Sequence, residues 1–102
     1  MQFKQVEYPR GNPLKICGQD WIFAPAPLGA LEKYQDFLGA DVIPFNVIID
    51  LAHISLKRNY PEIDRQYVAD ELIDVANMQD VIELIIQTSG LKQNDQAQSS
   101  GE

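Results

Sequence analysis

The chain has 102 residues, a formal net charge of −7 at neutral pH and a pI near 4.5. A chain of this length forms one domain with little room for an enclosed active-site cavity, so a binding protein is favoured over an enzyme. Because excess negative charge repels phosphate backbones, nucleic acid is not an expected partner.

Three sequence features predict a cytoplasmic protein that does not associate with membranes. No stretch approaches the roughly 18 consecutive apolar residues of a membrane span. The first ten residues, MQFKQVEYPR, lack the apolar segment of a signal peptide. The single cysteine, Cys17, has no partner for an internal disulfide, which agrees with a reducing compartment.

The first 25 residues have the composition of strands and turns. Residues 14–17 and 21–24 flank turn-forming residues at 18–20 and predict a short β-hairpin. Two prolines and a Gly-Asn pair predict a loop over residues 8–13. Residues 2–7 form either a further strand or a frayed end.

A first helix is predicted from Pro27, which suits the first turn of a helix and follows an extended APAP segment. Gly39 is placed to close this helix in the left-handed conformation. Its apolar residues recur at three- and four-residue spacing: Leu28, Leu31, Tyr34, Phe37 and Leu38.

The second helix begins at Pro44 or Phe45 and is apolar over more than half of its circumference. Such a helix lies at the centre of a bundle or offers a second face to a partner. Its apolar residues are Phe45, Val47, Ile48, Ile49, Leu51, Ala52, Ile54 and Leu56. Its polar residues form one narrow stripe: Asn46, Asp50, His53 and Lys57.

The second helix is expected to end near Asn59, which precedes a Tyr-Pro pair and tolerates left-handed geometry. A short third helix over residues 65–72 follows, with Asp64 as its N-cap. Ile63 and Val68 are placed to form a hydrophobic staple across its start.

The last helix is predicted to begin after Asn77 as N-cap, with Asp80 near its free amides. Gly90 suits its closing position, and Leu91 is placed to fold back on Ile86. Its wide apolar face consists of Met78, Val81, Ile82, Leu84, Ile85 and Ile86.

These elements predict a mainly α fold, a small helical domain of about four helices with a short N-terminal β-hairpin. We expect this single domain to span residues 1–91. Residues 92–102 (KQNDQAQSSGE) have only Ala97 to bury and predict a flexible polar tail.

Most of the negative charge lies in residues 62–83, which contain seven acidic side chains against Arg65 alone. This acidic surface either keeps the protein soluble or forms a docking face for a basic partner.

No residue pattern predicts catalysis, a cofactor or a metal. One His and one Cys cannot supply the ligands of a zinc site, and no segment has calcium-loop spacing. His53 beside Asp50 is interpreted as a solvated pair rather than a catalytic one. An acyl carrier is disfavoured, because Ser55 lies deep inside the second helix instead of exposed at a helix start.

Four segments, in this order, resemble the small tail assembly chaperones of long-tailed bacteriophages, the siphovirus type. The likeness lies in a proline-then-leucine entry to the first helix, a helix ending in a basic residue, Asn, Tyr and Pro, and a closing Ser-Gly-Leu. It spans about residues 21–91. The segments are FAPAPLGALEKYQDFL (23–38), IIDLAHISLKRNYPEIDRQYVADELID (48–74), ANMQDVIELI (76–85) and SGL (89–91).

The resemblance implies a chaperone that binds the tape measure protein and keeps it soluble until tail tube subunits polymerise around it. It implies synthesis in the cytoplasm of an infected or lysogenic host and absence from the mature virion. Further implied partners are other copies of the chain, in a ring or spiral homo-oligomer, and the tail tube protein. A frameshifted longer product is also implied, with residues 92–102 as an end or a linker.

We expect contacts with the client or with other copies at apolar residues of the second and last helices and just after the second. Ordinary core packing is the alternative for each residue. The alternative function is a monomeric acidic adaptor or antitoxin-like module that sequesters one partner. The candidate contact residues are Phe45, Ile49, Leu56, Tyr60, Leu84 and Ile86.

Overall fold

The computed structural model describes residues 3–90, which begin with an irregular segment and an antiparallel β-hairpin. Strand β1 (Asn12–Ile16) pairs with β2 (Gln19–Phe23), and Leu14 lies opposite Trp21. Trp21 and Phe23 are almost fully buried, so this face of the hairpin packs against the helices. The predicted hairpin is confirmed.

The hairpin turn consists of Cys17 and Gly18, whose φ angles are 53° and 80°. Positive φ angles at both positions match the twist of strands joined by a two-residue loop. The turn predicted over residues 18–20 is therefore displaced, because residues 19 and 20 already pair with β1. Residues 3–7 contain no strand.

The predicted first helix is interrupted at Tyr34, which separates α1 (Leu28–Lys33) from α2 (Gln35–Leu38). The Tyr34 backbone leaves helical geometry, with φ −112° and ψ 15°. Its side chain is buried, and its hydroxyl donates a hydrogen bond to Asp50. Gly39 has a φ of −104°, so the left-handed closure predicted there is wrong.

Helix α3 (Phe45–Lys57) is central to the fold and begins directly after Pro44, as predicted. The expected left-handed geometry at Asn59 is wrong, because Cys17 is the only non-glycine residue with positive φ among residues 3–90. Asn59 is buried instead, and its side chain binds the main chain of Arg10 and Ile22.

The predicted third helix is a short helix α4 (Arg65–Tyr67) that continues as a π-helical turn (Val68–Leu72). The Asp64 cap is confirmed, since its carboxylate accepts a hydrogen bond from the Tyr67 amide at 2.7 Å. The π turn is closed by a bond from the Ile73 amide to the Val68 carbonyl at 3.0 Å.

Helix α5 (Met78–Thr88) begins after Asn77, but the Asn77 side chain does not cap it. The side-chain amide points back along the chain, donating to the Leu72 carbonyl at 2.8 Å and accepting from the Asp74 amide at 3.0 Å. Asn77 is therefore at the predicted N-cap position, but the predicted hydrogen bond from its side chain to the start of α5 is wrong. Gly90 has a φ of 82°, so the predicted left-handed residue is confirmed.

The core lies where α3 packs against α5, β2 and the π-helical turn, while α5 also packs against both strands. The helix-rich class with an N-terminal hairpin agrees with the sequence prediction. No helix within residues 3–90 is long and apolar enough to cross a membrane. The predicted contact of Leu91 and the predicted tail over residues 92–102 lie outside the described residues.

Candidate protein-binding surface

Large apolar side chains are left uncovered where α3 begins and where the chain leads into α5. Val42 is 80% exposed, Val75 is 75% exposed and Phe45 is 65% exposed. Val42 lies in the loop before α3, and Val75 lies in the connector before α5. Clustered apolar exposure of this kind marks interaction sites on small proteins.

These side chains line two adjoining pockets, which we call together the apolar groove. The Val75 pocket has a volume of 160 Å³. The Val42 pocket has a volume of 230 Å³. The two pockets share Phe45, Ile48 and Met78, so they form one continuous depression. The Val75 pocket is also lined by Ile49, Ile73, Asp74 and Val75, and the Val42 pocket by Leu38, Ala40, Asp41, Val42, Ile43, Gln79 and Ile82.

One stripe of α3 explains why the groove lies at this end of the helix. Phe45, Ile49, Ala52 and Leu56 follow at spacings of four, three and four and share a face. Ala52 and Leu56 have no exposed surface, whereas Ile49 is half-buried and Phe45 is exposed. The fold therefore covers the second half of the stripe and leaves the first half open.

The turn that presents Val75 is held by two reciprocal bonds between Asp74 and Asn77. The Asp74 amide donates to the Asn77 side-chain oxygen at 3.0 Å, and the Asn77 amide donates to the Asp74 carboxylate at 2.9 Å. Val75 and Ala76 lie at the tip of this turn and are exposed. The exposure of Val75 thus belongs to a bonded turn, which is the geometry that such Asx side chains favour.

The charged residues of the groove lining are both acidic. Asp41 lines the Val42 pocket and Asp74 lines the Val75 pocket, and both are exposed. No lysine, arginine or histidine is among the lining residues. The wall of the Val75 pocket is almost wholly apolar, that of the Val42 pocket is mixed polar and apolar, and each lining includes one exposed acidic residue.

Two of the predicted contact residues, Phe45 and Ile49, line the groove. Leu84 is half-buried and packs against the core outside the groove lining. Its role as a contact residue stays a prediction.

The other three candidates, Leu56, Tyr60 and Ile86, are corrected to core residues. Leu56 lies on the covered half of the α3 stripe and has no exposed surface. The Tyr60 ring packs edge-on against Trp21 with centroids 5.1 Å apart, and its hydroxyl accepts a bond from the Ile22 amide at 3.0 Å. Ile86 follows Ile82 by one turn on the buried face of α5. All three side chains belong to the buried core of the described residues.

Sequence reasoning missed Val42, Val75 and Met78 as groove residues. Val42 and Val75 are single apolar residues in loops, and helical periodicity does not apply there. An apolar residue next to an aspartate in a predicted connector, as in Asp41-Val42 and Asp74-Val75, was the available signal. Met78 belongs to the predicted apolar face of α5, and its spacing gives no indication that it lines the groove.

Outside the groove, a polar cluster joins Tyr34, Asp50 and Arg65. The Tyr34 hydroxyl and the Arg65 guanidinium both donate hydrogen bonds to the Asp50 carboxylate. Burial raises the pKa of Asp50. The two hydrogen bonds and the Arg65 charge lower this pKa by more than burial raises it, so the net shift is downward. The hydrogen bond to Asp50 and burial raise the pKa of Tyr34. This cluster joins the break between α1 and α2 to helices α3 and α4.

The expected pairing of His53 with Asp50 is replaced by other contacts. The His53 Nε2 atom lies 3.2 Å from the Ile63 carbonyl oxygen, while Asp50 bonds to Tyr34 and Arg65. Within the described part of the chain, no group of three His, Cys, Asp or Glu side chains could hold a metal ion.

The chain was also compared with protein-family models, curated proteins and solved structures. No family model, curated protein or solved structure matches it.

Proposed function

We propose that the protein is a tail assembly chaperone of long-tailed bacteriophages. In this role it binds the tape measure protein and keeps it soluble during tail assembly in the host cytoplasm. It works as a homo-oligomer and is absent from the mature virion. The proposal is supported by the ordered resemblance over residues 21–91 and by the apolar groove.

The observation that carries the proposal is the uncovered first half of the α3 stripe. Burial of apolar surface is the main driving force of protein association, and a side chain such as Phe45 contributes about 1.5–3 kcal/mol when it is fully buried. A tape measure chain with long apolar helical stripes needs such surface to stay soluble before assembly. Helix-in-groove contacts provide it.

The acidic surface supports the same role. A net charge of −7 opposes precipitation of the chaperone and of the complex that it forms. An apolar groove on an acidic protein suits binding of an insoluble client without precipitation of the complex.

Co-expression with a candidate tape measure protein tests this function. We expect the tape measure protein to move into the soluble fraction and to co-purify with the chaperone. Leu28→Ser is the control for substitutions in the groove, such as Val75→Arg. It removes a leucine at the start of α1 that is 80% exposed outside the groove lining, so it should leave the tape measure protein soluble. A tape measure protein that stays insoluble beside the wild-type chain would contradict the proposal.

The oligomeric state provides an independent test. Light scattering after size exclusion, run over a dilution series, should give the mass of several protomers. A monomer at all concentrations would favour the monomeric adaptor over the chaperone.

A further inference from the structure

We propose that the apolar groove binds a single amphipathic helix whose apolar stripe is flanked by lysine or arginine side chains. This inference rests on the proposed function for the source of the helix, the tape measure protein. The groove itself determines the chemistry of the helix, through its shape, its lining and its charge.

The groove offers two places for large apolar side chains. Apolar cavities of about 150 Å³ hold one benzene molecule. At 160 Å³ and 230 Å³, the Val75 and Val42 pockets each suit one such side chain. The pockets share Phe45, Ile48 and Met78, so the two anchoring side chains lie next to each other. On a helix, residues three or four positions apart are neighbours in this way.

The lining favours a helix over an extended segment. Extended peptides that lack a polyproline conformation commonly bind by adding a strand to the open edge of a sheet, where main-chain groups pair. The groove is lined by residues of α2, α3, α5 and two connecting loops, and neither β1 nor β2 contributes to it. A helix needs no main-chain partner, because its amides and carbonyls are already paired within it.

The charge of the groove favours basic flanks. Asp41 belongs to the lining of the Val42 pocket, Asp74 belongs to that of the Val75 pocket, and the exposed Asp80 follows the lining residue Gln79. Lysine or arginine on either side of an apolar stripe would meet these carboxylates. Acidic residues in the same positions would be repelled.

The same charges disfavour a second copy of this chain as the occupant. Two copies that pair groove to groove would bring Asp41 and Asp74 of one copy against acidic lining of the other. Helix α5 has its apolar stripe in its own core and carries Asp80 and Glu83 with no basic residue. A basic helix from another protein is the complementary occupant.

Two synthetic peptides test the proposal on the full chain. Both have about 18 residues, or five helical turns, and the same leucine stripe; one has lysine flanks and the other glutamate flanks. Fluorescence anisotropy should show binding of the lysine peptide about tenfold tighter than that of the glutamate peptide, with the ratio shrinking as salt is added. Equal binding of the two peptides, or binding of neither, would overturn the proposal.

Variants without the acidic charges of the groove test whether these charges cause the preference for lysine flanks. The double variant Asp41→Asn, Asp74→Asn keeps a side-chain oxygen for the Asn77 amide and should reduce the preference for lysine flanks to about twofold. The matched control, Glu7→Gln with Glu62→Gln, removes two carboxylates from a separate surface and should keep the full preference. A control that loses the preference equally would show a general charge effect and overturn the proposal.

A groove variant separates this inference from the proposed function. If Val75→Arg abolishes binding of the lysine peptide and co-purification of the tape measure protein, both proposals are supported. If it abolishes neither, the groove is not the binding site, although the chaperone function stands. If the lysine peptide binds but the wild-type chain does not solubilise the tape measure protein, the groove assignment stands and the function fails.

If a second copy of this chain occupies the groove, the peptide and light-scattering experiments give a different result. In that case neither peptide binds, and Val75→Arg lowers the mass measured by light scattering. This result would overturn the proposed basic helix.

Discussion

Asn59 holds the main chain of Arg10 by two hydrogen bonds. The Arg10 amide donates to the Asn59 side-chain oxygen at 3.0 Å, and the Asn59 side-chain nitrogen donates to the Arg10 carbonyl at 2.8 Å. The same nitrogen donates to the Ile22 carbonyl, also at 2.8 Å. One buried amide therefore joins the end of α3 to the N-terminal loop and to β2.

Replacing Asn59 should destabilise the fold strongly. Asn59→Ala leaves three main-chain groups without their partner, and an unsatisfied buried group costs about 1–3 kcal/mol. We expect a loss of about 2–4 kcal/mol in the free energy of unfolding, measured by urea denaturation. Asn46→Ala, at an exposed position of α3, should stay within about 0.5 kcal/mol of the wild type. Equal effects of the two substitutions would contradict the role of Asn59.

A close backbone contact predicts that Gly11 cannot be replaced. A Cβ atom at Gly11 would lie 1.8 Å from the Phe23 carbonyl oxygen, and the φ of Gly11 is 105°. Gly11→Ala should therefore cost more than about 2 kcal/mol, through both the clash and the strained backbone.

Gly29→Ala is the matched control for Gly11→Ala. A Cβ atom at Gly29 meets no other atom within 4 Å, and the position is inside α1. Alanine there should stabilise the protein by up to about 1 kcal/mol. Thermal unfolding of both variants checks the contrast, and a stable Gly11→Ala protein would refute the close contact.

The two ends of the α3 stripe should respond differently to truncation. Leu56→Ala removes a side chain with no exposed surface and should cost about 2–5 kcal/mol of stability. Phe45→Ala removes one that is 65% exposed and should cost less than about 1 kcal/mol. Urea denaturation of the two variants tests which half of the stripe is core. Similar losses at both positions would mean that the groove is covered in solution.

The Asp50 cluster predicts a dependence of stability on pH. Because the folded-state pKa of Asp50 is lowered, its stabilisation is fully present above the ordinary value of 3.8 and is lost as the pH falls through the folded-state pKa. Asp50→Asn should therefore lose less stability than the wild type between neutral pH and about pH 3. Arg65→Gln, which removes one donor to Asp50, should give an intermediate slope. Parallel curves for wild type and Asp50→Asn would contradict the assignment.

The helices could be predicted because local signals determine them. Pro44 fixes the start of α3, Asp64 caps α4, and Gly90 takes the positive φ that only glycine adopts easily. The break at Tyr34 could not be predicted, since no local signal marks it and the hydrogen-bond partner of Tyr34, Asp50, is sixteen positions away in the chain.

The binding surface was predicted only in part. Spacing predicted a wide apolar surface on α3, with Phe45 and Leu56 among its candidate contact residues, but it could not tell which of the two the fold covers. The bonding of Asn59 and Asn77 was also hidden, because a sequence pattern does not distinguish an asparagine that caps a helix from one that pins a distant segment. Tertiary packing decides these features.

Hydrogen exchange of the chain, free and in complex with the tape measure protein, is the most direct test of the apolar groove as the client site. The loop over residues 40–44 and the connector over residues 73–77 line or border the groove outside the helices, so their amides report its occupancy. We predict slower exchange in both segments of the complex and unchanged exchange in the hairpin over residues 12–23. Unchanged exchange in both groove segments, with protection confined to another surface, would contradict this assignment.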